Sequence, residues 1–533
     1  MKTLLKNAVI YDGTGAEPIR GDVLVENDRI LRVGEGIDTP ADEVIDLRAL
    51  SLAPGFIDAH SHNDWFAIRR EPLKYFAPFI RQGITTFVTG NCGLAATGFP
   101  QDGPYTDVIG GGLFGFGDAP AFYGDVSSYF KAIDGKVPAN VAALAGHCTA
   151  RAAVAGMENR PLTDEEMQKM LDILDEALSK GAAGISLGLM YEPGLYAQTE
   201  ELRKVAELCV KHNKPLTVHP RANSAVSMSY PELLGRSHLL RAVDELVDIA
   251  KGTNLKLHYS HAIFVGRRSF KDKDEFVKIM ADLRAAGVDA MFDIYNETLG
   301  VSVITVILPA WYQSMSMEER RKPINRIKLA VLVHASSLLL GFGFKDIQVA
   351  RIGEGYEHYE GKSVHEIAQM EHMSDLKAYL MLCEKSNFKG RVNMGPYSTP
   401  EIIDEFSRHE HCLFMTDAWV EPDGVQNPAI YDCFPKFLRD ALLAETPRLP
   451  MTIRKMTGAT ADRFMLKDRG YVRPGCFADL VVFDPEAIRS AVPDQEKSFG
   501  IEQVFINGRR VLMGDELDAQ ALKTAGRALP VEG

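Results

Sequence analysis

The sequence predicts an α/β fold in which eight strand–helix units form one large unit beside a small β-structure shared by both chain ends. The middle of the chain alternates short apolar segments, such as ITTFVTG and LKLHYSH, with amphipathic segments such as DEEMQKMLDILDEALSKG. This alternation predicts a parallel sheet with helical crossovers. Eight strands are counted when GFIDAHSH is the first, and eight βα units are typical of a closed (β/α)8 TIM-type barrel.

The two chain ends have a different pattern, with short alternating strands separated by Gly and Pro. Such strands predict a small β-sandwich built from both termini. Residues 1–54 would supply its N-terminal part, and residues 468–533 its C-terminal part and a tail. Residues 55–467 would then form the barrel.

A long segment interrupts the predicted barrel. More than a hundred residues separate the seventh strand, which ends near Tyr295, from the eighth, which begins near Cys412. Since that exceeds an ordinary crossover, we expect a lid-like insertion at about residues 297–345. The apolar run Leu329–Phe344 is short for a membrane span, so we expect it to form a buried or lid helix.

The composition is that of a soluble globular protein, with 46% hydrophobic and 25% charged residues. The formal net charge of −13 argues against nucleic-acid and membrane partners, which both need a basic face. A small-molecule substrate is expected instead. Seven cysteines without a CxxC pair indicate a reduced chain, and the segment MKTLLKNAVIYDG lacks an apolar signal core, so we expect a cytoplasmic protein. The oligomeric state stays open, with a homo-oligomer among the alternatives.

Metal-binding residue types collect where the predicted barrel strands end. In a strand, residues i and i+2 share a face, so His60 and His62 can bind one ion. Four of the 14 histidines fall at such ends, together with one cysteine and one aspartate. The six residues are His60, His62, Cys92, His219, His261 and Asp417. Imidazole, thiolate and carboxylate are ligands that zinc prefers, and six exceed the four of a structural site. The pattern therefore predicts a catalytic zinc site or a two-metal site.

This ligand set favours a hydrolytic reaction. Zinc lowers the pKa of a bound water to about 7 and polarises a carbonyl oxygen. The nucleophile expected from the sequence is therefore metal-bound hydroxide, and the target is an amide or a related C–N bond. A nearby carboxylate can take the proton of the water and deliver it to the leaving group. Asp417 is the candidate general acid/base, because the eighth strand adjoins the first when a barrel closes.

Four further residues near strand ends are candidates for substrate binding. Tyr191 is expected to line the pocket, and Tyr295 could hydrogen-bond a substrate oxygen. Arg221 could bind an anionic group or form a structural ion pair. His147 could contact substrate or support the site. Arg391 is interpreted as surface charge.

Several motifs resemble the amidohydrolase superfamily and, within it, the N-acyl-D-amino-acid deacylases (D-aminoacylases), over nearly the whole chain. They are APGFIDAHSHND at 53–64, TGNCG at 89–93, GHCTARAAVAG at 146–156, GISLGLMYEPG at 184–194, SH at 260–261, LPAW at 308–311 and TGATADRFMLKDRGYVRPGCFADLVVFDP at 457–485. TGNCG is the more specific mark, because in this branch a cysteine stands where the superfamily usually has a carboxylated lysine.

The resemblance implies a fold, a ligand set and a catalytic group. The fold is a (β/α)8 barrel with a small β-sandwich. One tightly bound zinc would be held by Cys92, His219 and His261. A second, weaker site would use His60, His62 and Asp417 and share Cys92. Asp417 would be the catalytic acid/base.

The sequence departs from this family mainly at positions that bind the substrate. The lysine usual after the strand 6 histidine is Ile263, the usual Tyr-Pro-Tyr reads Tyr295-Asn296-Glu297, and the usual His-Pro-Arg reads Asn427-Pro428-Ala429. The acidic residue usual after the strand 5 motif is absent from Arg221-Ala222-Asn223. Without this Lys and Arg, a carboxylate loses its charge-assisted hydrogen bonds, and an inward-pointing Glu297 would repel it. The metal residues are intact while the amino-acid-binding set is largely gone.

The residues and the resemblance together predict a zinc-dependent hydrolase of a non-peptide C–N bond, which deacylates an N-acyl amine or an N-acyl-D-amino-acid-like compound. The alternative is hydrolysis of a cyclic amide, an imide or a formamide, or another metal-assisted bond cleavage. A third hypothesis is a metal-binding or regulatory protein without catalysis, and the intact Asp417 argues against it.

Overall fold

The computed structural model describes residues 1–100, 103–105, 122–227, 229–230, 235–313, 315–491 and 497–532. Its strands are β1 Lys2–Ile10, β2 Ile19–Glu26, β3 Arg29–Gly34, β4 Glu43–Asp46, β5 Ser51–Pro54, β6 Phe56–Asp58, β7 Ile84–Thr89, β8 Asn140–Ala143, β9 Ala145–Gly146, β10 Ile185–Gly188, β11 Pro215–His219, β12 Lys256–Tyr259, β13 Asp289–Ile294, β14 Gly300–Val303, β15 Ile347–Arg351, β16 Arg391–Met394, β17 Cys412–Phe414, β18 Leu480–Phe483, β19 Ile501–Ile506, β20 Arg509–Met513 and β21 Glu516–Leu517.

The α-helices lie mostly between these strands. They are α1 Asp64–Ala67, α2 Leu73–Arg81, α3 Val126–Ile133, α4 His147–Ala155, α5 Asp164–Ser179, α6 Thr199–Lys211, α7 His238–Ala250, α8 Lys273–Ala285, α9 Ala310–Gln313, α10 Met317–Arg321, α11 Pro323–Leu340, α12 Val364–Met370, α13 Asp375–Lys385, α14 Pro400–Arg408, α15 Ala429–Leu443, α16 Leu449–Met456, α17 Gly458–Arg463, α18 Pro485–Ser490 and α19 Ala519–Leu522.

The central strands are parallel and pair in chain order. β6 pairs with β7 and β7 with β8, while β9 pairs with β10, followed by β11, β12, β13 and β17. Only Leu144 separates β8 from β9, and the Ala59 N–H donates to the Phe414 carbonyl at 3.2 Å, which connects the last strand to the first. Strands such as β7 and β11 are buried along their whole length, as strands of parallel sheets usually are. The carboxyl ends of these strands therefore share one face.

Both chain ends contribute to one antiparallel-rich sheet. Its strand order is β21-β20-β19-β18-β5-β1-β2-β3, and β4 pairs with β1. The junction between the two ends is the antiparallel pair β5–β18, which includes Leu52 opposite Val482. These residues belong to a core of their own that also contains Leu5, Val23 and Leu480. Strands from both predicted parts of the sandwich are therefore hydrogen-bonded in one continuous sheet.

The insertion between β13 and β17 is larger than the predicted 297–345. Its antiparallel sheet has the order β14-β16-β15, so the insertion extends to Met394. The end was misplaced because β16 returns to pair with β14 from far along the chain. After β16, helix α14 packs against β13 and β17 as an ordinary crossover helix.

Helix α11 is the most apolar helix of the insertion. Leu329 and Val333 are buried, whereas Ile324, Ile327 and Val331 are 60–69% exposed. Of the two alternatives for this run, a buried helix does not agree with these exposures, and a lid helix stays a prediction. By length and composition alone, α11 is the one helix among the described residues that could cross a membrane, with 11% of it buried.

Candidate metal centre

The six predicted metal residues meet beyond the carboxyl ends of the central strands. His60 and His62 follow β6, Cys92 follows β7, His219 ends β11, His261 follows β12 and Asp417 follows β17. Five of them are buried, and the side chain of Asp417 is 22% exposed. Access from solvent to the centre is therefore on the side of Asp417.

The Cys92 sulfur lies at the middle of the cluster. Its Sγ is 3.4 Å from His60 Nε2, 3.5 Å from His219 Nδ1 and 3.7 Å from His261 Nε2. Asp417 Oδ1 lies 3.4 Å from His60 Nε2 and 3.5 Å from His62 Nε2. Two ligand groups result, one of Cys92, His219 and His261, and one of His60, His62, Cys92 and Asp417. Cys92 is common to both.

These separations test whether zinc fits. With Zn–S bonds of about 2.3 Å and Zn–N and Zn–O bonds of about 2.0–2.1 Å, tetrahedral angles place S and N about 3.6 Å apart and N and O about 3.4 Å apart. The S···N distances of 3.4–3.7 Å and the N···O distances of 3.4–3.5 Å match those edges. The donor types and their spacing therefore fit a zinc ion in each group, with the thiolate shared.

Three of the six residues have an unusual backbone. Cys92, His261 and Asp417 have φ angles of 54°, 40° and 47°, in the left-handed region. For a residue with a Cβ this conformation costs about 1–2 kcal/mol, and such strain clusters at functional sites. Gly93 has φ 74°, and a Cβ there would lie 2.6 Å from the Gly188 backbone nitrogen. The glycine of TGNCG thus lets the Cys92 loop approach β10 closely.

Asp293, in β13, contacts three histidines at or near the metal centre. Its Oδ2 lies 2.9 Å from His258 Nε2 and 3.5 Å from His60 Nδ1, and its Oδ1 accepts the backbone N–H of His261. A carboxylate behind a ligating imidazole fixes the orientation and tautomer of the ring. Sequence analysis missed Asp293, although its place near the end of a predicted strand was a usable signal.

The charges in the cluster depend on one another. Burial alone would lower the pKa of His60, but the charges of Cys92 and Asp417 raise that pKa well above its usual value. Burial opposes ionisation of Asp417, yet His60 and His62 hold the pKa of its carboxyl below the usual value. Burial raises the pKa of the Cys92 thiol to about 11, whereas a cation bound to the sulfur would favour the thiolate.

Aromatic side chains lie around these residues. The Tyr191 ring is 4.6 Å from the His219 ring, and the Trp419 ring is 5.5 Å from the His62 ring. Burial, followed by the charge of Asp417, raises the pKa values of Tyr295 and Tyr397. Substrate contacts of Tyr191 and Tyr295 stay a prediction. Tyr397 was missed, because only folding of the insertion brings it to Asp417.

Arg221 and His147 are bound to carboxylates of the protein. Arg221 Nε and Nη2 each lie 3.0 Å from an oxygen of Glu245, and its Nη1 donates to the Leu195 carbonyl at 2.8 Å. His147 Nε2 lies 2.7 Å from Glu201 Oε1. Of the two roles considered for Arg221, the structure contains the ion pair, whereas the choice between a substrate contact and a supporting role for His147 stays a prediction. The Arg221 guanidinium is already engaged by the protein, which argues against substrate binding by this residue.

Arg391 is not the surface charge that the sequence suggested. It is 8% exposed, and its Nε lies 3.4 Å from Glu421 Oε1. The same oxygen accepts the indole N–H of Trp419 at 2.8 Å. Arg391 therefore connects β16 of the insertion, through Glu421 and Trp419, to the neighbourhood of His62.

Comparison with known proteins agrees with this geometry. Residues 43–298 match the model of the Amidohydrolase family. This segment is an amidohydrolase domain. It contains His60, His62, Cys92, His219 and His261, while Asp417 lies beyond it.

The amidohydrolase resemblance extends over nearly the whole chain. D-aminoacylase of Alcaligenes xylosoxydans xylosoxydans is 28% identical over 536 residues, which cover 99% of this chain and 97% of the relative. The crystal structure of an N-acyl-D-glutamate deacylase from Bordetella bronchiseptica, complexed with zinc and a phosphonate mimic of the tetrahedral intermediate, has a TM-score of 0.78 and 25% identity, covering 100% of this chain and 99% of that one. A D-aminoacylase structure with a binuclear metal centre has a TM-score of 0.77 and 26% identity, covering 99% of both chains.

Proposed function

We propose that this amidohydrolase is a zinc-dependent enzyme that hydrolyses a non-peptide amide bond and removes the acyl group from an N-acyl amine or an N-acyl-D-amino-acid-like compound. The observation that carries the proposal is the Cys92 sulfur, which lies within 3.7 Å of imidazole nitrogens from three different strand ends. The near-full-length similarity to D-aminoacylase supports the reaction class.

The ligand groups suggest how zinc would be held. Cys92, His219 and His261 would hold one ion tightly, because all three are buried. His60, His62 and Asp417, with Cys92 shared, would hold a second ion more weakly, because Asp417 is partly exposed. When bound, zinc supplies a Lewis acid for the amide carbonyl and lowers the pKa of a water molecule.

The chain's own residues would then move the proton and shape the site. Asp417 is held ionised by its histidine neighbours, so its carboxylate can accept the proton of the attacking water and pass it to the leaving nitrogen. Asp293 keeps His60 and His261 in place. The hydroxyls of Tyr295 and Tyr397 are candidates to donate hydrogen bonds to the substrate, and the rings of Tyr191 and Trp419 to form its walls.

We extend the proposal to architecture and location. The eight parallel strands would form a closed TIM-type barrel, and the insertion would act as a lid over the carboxyl-end face. All seven cysteines are free and buried, which agrees with a cytoplasmic location.

The test is acyl release by zinc-loaded protein from a panel of N-acetyl amines and N-acetyl-D-amino acids. We expect Asp417→Asn to lower kcat by about 10²–10⁴-fold, the usual contribution of general acid–base catalysis. Asp423→Asn is the matched control, because Asp423 is exposed and, among the described residues, forms its ion pair with Arg351. Equal rates for Asp417→Asn and the control would contradict the proposal. Ring opening of cyclic amides without release of an amine would favour the cyclic-amide alternative.

A further inference from the structure

The two positions where the family has a cation are filled by Ile263 and Ala429. No side chain from elsewhere in the chain can occupy either position as a substitute. Ile263 is buried and shares with Tyr295 and Glu297 the wall of a cavity of about 10 Å³, which holds about one water molecule. Ala429 is fully buried at the start of α15. A cation that replaces the missing pair must therefore come from elsewhere in the chain.

All candidates for such a cation are within the described residues. The segments outside them, 101–102, 106–121, 228, 231–234, 314, 492–496 and 533, contain neither lysine nor arginine. They contain Asp102, Asp107, Asp118 and Glu232 among others, so these segments can only add negative charge. Every lysine and arginine of the chain therefore lies among the described residues.

Four buried or half-buried cations beyond the strand ends are each paired with a carboxylate of the protein. Arg221 binds Glu245, Arg391 lies beside Glu421, and Arg151 Nε donates to Glu201 at 3.0 Å. The fourth is Lys436, which pairs with Glu297 and, at 3.1 Å, with Asp432. Arg69, which follows His62, donates to the carbonyl oxygen of Trp65 at 3.2 Å.

The ion pair with Lys436 bears on the expected role of Glu297. That carboxylate was expected to repel a substrate carboxylate if it pointed inward. It does line the cavity beside Tyr295, and its side chain is 10% exposed. Lys436 in turn is shared between Glu297 and Asp432, so this corner carries two carboxylates for one ammonium group. The ammonium group of Lys436 is therefore already engaged by the protein and is not available to a substrate carboxylate placed there.

Apart from Ser398, the remaining residues that line this cavity are apolar or aromatic. Ile263, Ile294, Ile402 and Phe406 line the cavity next to Tyr295, and Tyr397 is 8% exposed beside it. An anion moved from water to such surroundings loses its hydration without gaining an ion pair, which is strongly unfavourable. A neutral amide or aromatic group loses far less, and tyrosine hydroxyls can hydrogen-bond to it.

We propose that the amine portion of the substrate carries no carboxylate, so that the enzyme deacylates uncharged N-acyl amines and N-acyl amino-acid amides rather than N-acyl-D-amino acids. This inference rests on the proposed deacylase function and names its substrate class. It assigns Ile263, Glu297 and Ala429 as residues that determine specificity.

The experiment compares N-acetyl-D-phenylalanine with its carboxamide, N-acetyl-D-phenylalaninamide, on zinc-loaded wild-type protein. Acetate release is the readout, because only deacylation produces acetate from either compound. We expect kcat/KM for the carboxamide to exceed that for the acid by at least tenfold. Cleavage of the acid as fast as the carboxamide, or faster, overturns the inference and leaves the deacylase function standing. Release of acetate from neither compound, with zinc bound, overturns both.

Variants make the cause of the preference testable. Ile263→Lys combined with Ala429→Arg restores the two family cations and should shift the acid-to-carboxamide ratio of kcat/KM toward the acid by at least tenfold. Glu297→Gln needs no new volume and should shift the ratio in the same direction, even if the double variant fails to fold. Arg391→Met tests the strongest competing cation, and a selective loss of acid cleavage in this variant would overturn the inference. An unchanged ratio in a folded Glu297→Gln variant with normal zinc content would also count against it.

Discussion

Glu201 holds together a buried charge cluster whose loss should be measurable as stability. Its Oε1 lies 2.7 Å from His147 Nε2 and 3.0 Å from Arg151 Nε, and Arg151 is fully buried. Glu201→Gln keeps the shape but leaves two cations without a carboxylate. Removing one partner of such a buried pair costs about 3–5 kcal/mol.

The expected shift of the melting temperature follows from the size of the chain. At about 2.1 cal/mol/K per residue, cooperative unfolding of the whole chain has an entropy of about 1.1 kcal/mol/K. The Glu201→Gln variant should therefore melt about 3–5 °C below the wild type by differential scanning calorimetry. Glu200→Gln is the matched control, because the Glu200 side chain is 68% exposed, and it should shift the midpoint by less than about 0.5 °C. Equal midpoints for the two variants would refute the account of the cluster.

The same cluster predicts a dependence on pH. Burial alone would lower the pKa of His147, but Cys148 and Glu201 raise it to about 9. Because the folded-state pKa lies above the unfolded value of about 6.5, the cluster stabilises the fold fully below pH 6.5 and loses that contribution as the pH rises through 9. This difference in the pKa of His147 corresponds to about 3 kcal/mol in the free energy of unfolding, or about 3 °C in the melting temperature. The drop between pH 6.5 and 9.5 should be smaller in Glu201→Gln, and an equal drop in both proteins would contradict the assignment.

Two further predictions concern the metal loop and helix α11. Gly93→Ala places a Cβ 2.6 Å from the Gly188 backbone nitrogen, so zinc retained after dialysis should fall at least tenfold, whereas Gly135→Ala, also at positive φ but with no atom within 4 Å, should retain wild-type zinc. Retention by both variants would contradict the role given to Gly93. The exposed residues Ile324, Ile327, Val331 and Leu338 of α11 follow the spacing of a helix–helix seam, so we expect α11 to pack against the same helix of a second copy. Val331→Glu should then lower the sedimentation coefficient to that of a monomer and Val44→Glu, on another exposed residue, should not; a monomeric wild type would refute this.

Local patterns in the sequence were enough to find the metal residues. A ligand at the carboxyl end of a parallel strand occupies one known face, so strand position and residue type together predicted that His60, Cys92, His219 and Asp417 would meet. The chain order of the parallel strands followed from the same alternation of strand and helix. These features depend on contacts between neighbouring strand–helix units, and the sequence displays those units directly.

Features that depend on the insertion could not be predicted in this way. Tyr397 reaches Asp417, and Arg391 reaches Glu421, only because β16 pairs with β14 and β15 far along the chain. The partners of Arg221, His147 and Glu297 lie 24, 54 and 139 residues away along the chain, in helices that no spacing rule connects to them. The sequence left open whether the apolar run at 329–344 forms a buried or a lid helix, because such a run predicts burial in general without showing which surface covers it.

The most direct test of the central claim is zinc K-edge X-ray absorption on the zinc-loaded protein, compared with Cys92→Ala. The claim is that one cysteine sulfur joins both ligand groups. The account predicts a sulfur scatterer at about 2.3 Å in the wild type and its complete loss in the variant, with nitrogen and oxygen scatterers at about 2.0–2.1 Å in both. A wild-type spectrum fitted by nitrogen and oxygen alone would contradict it.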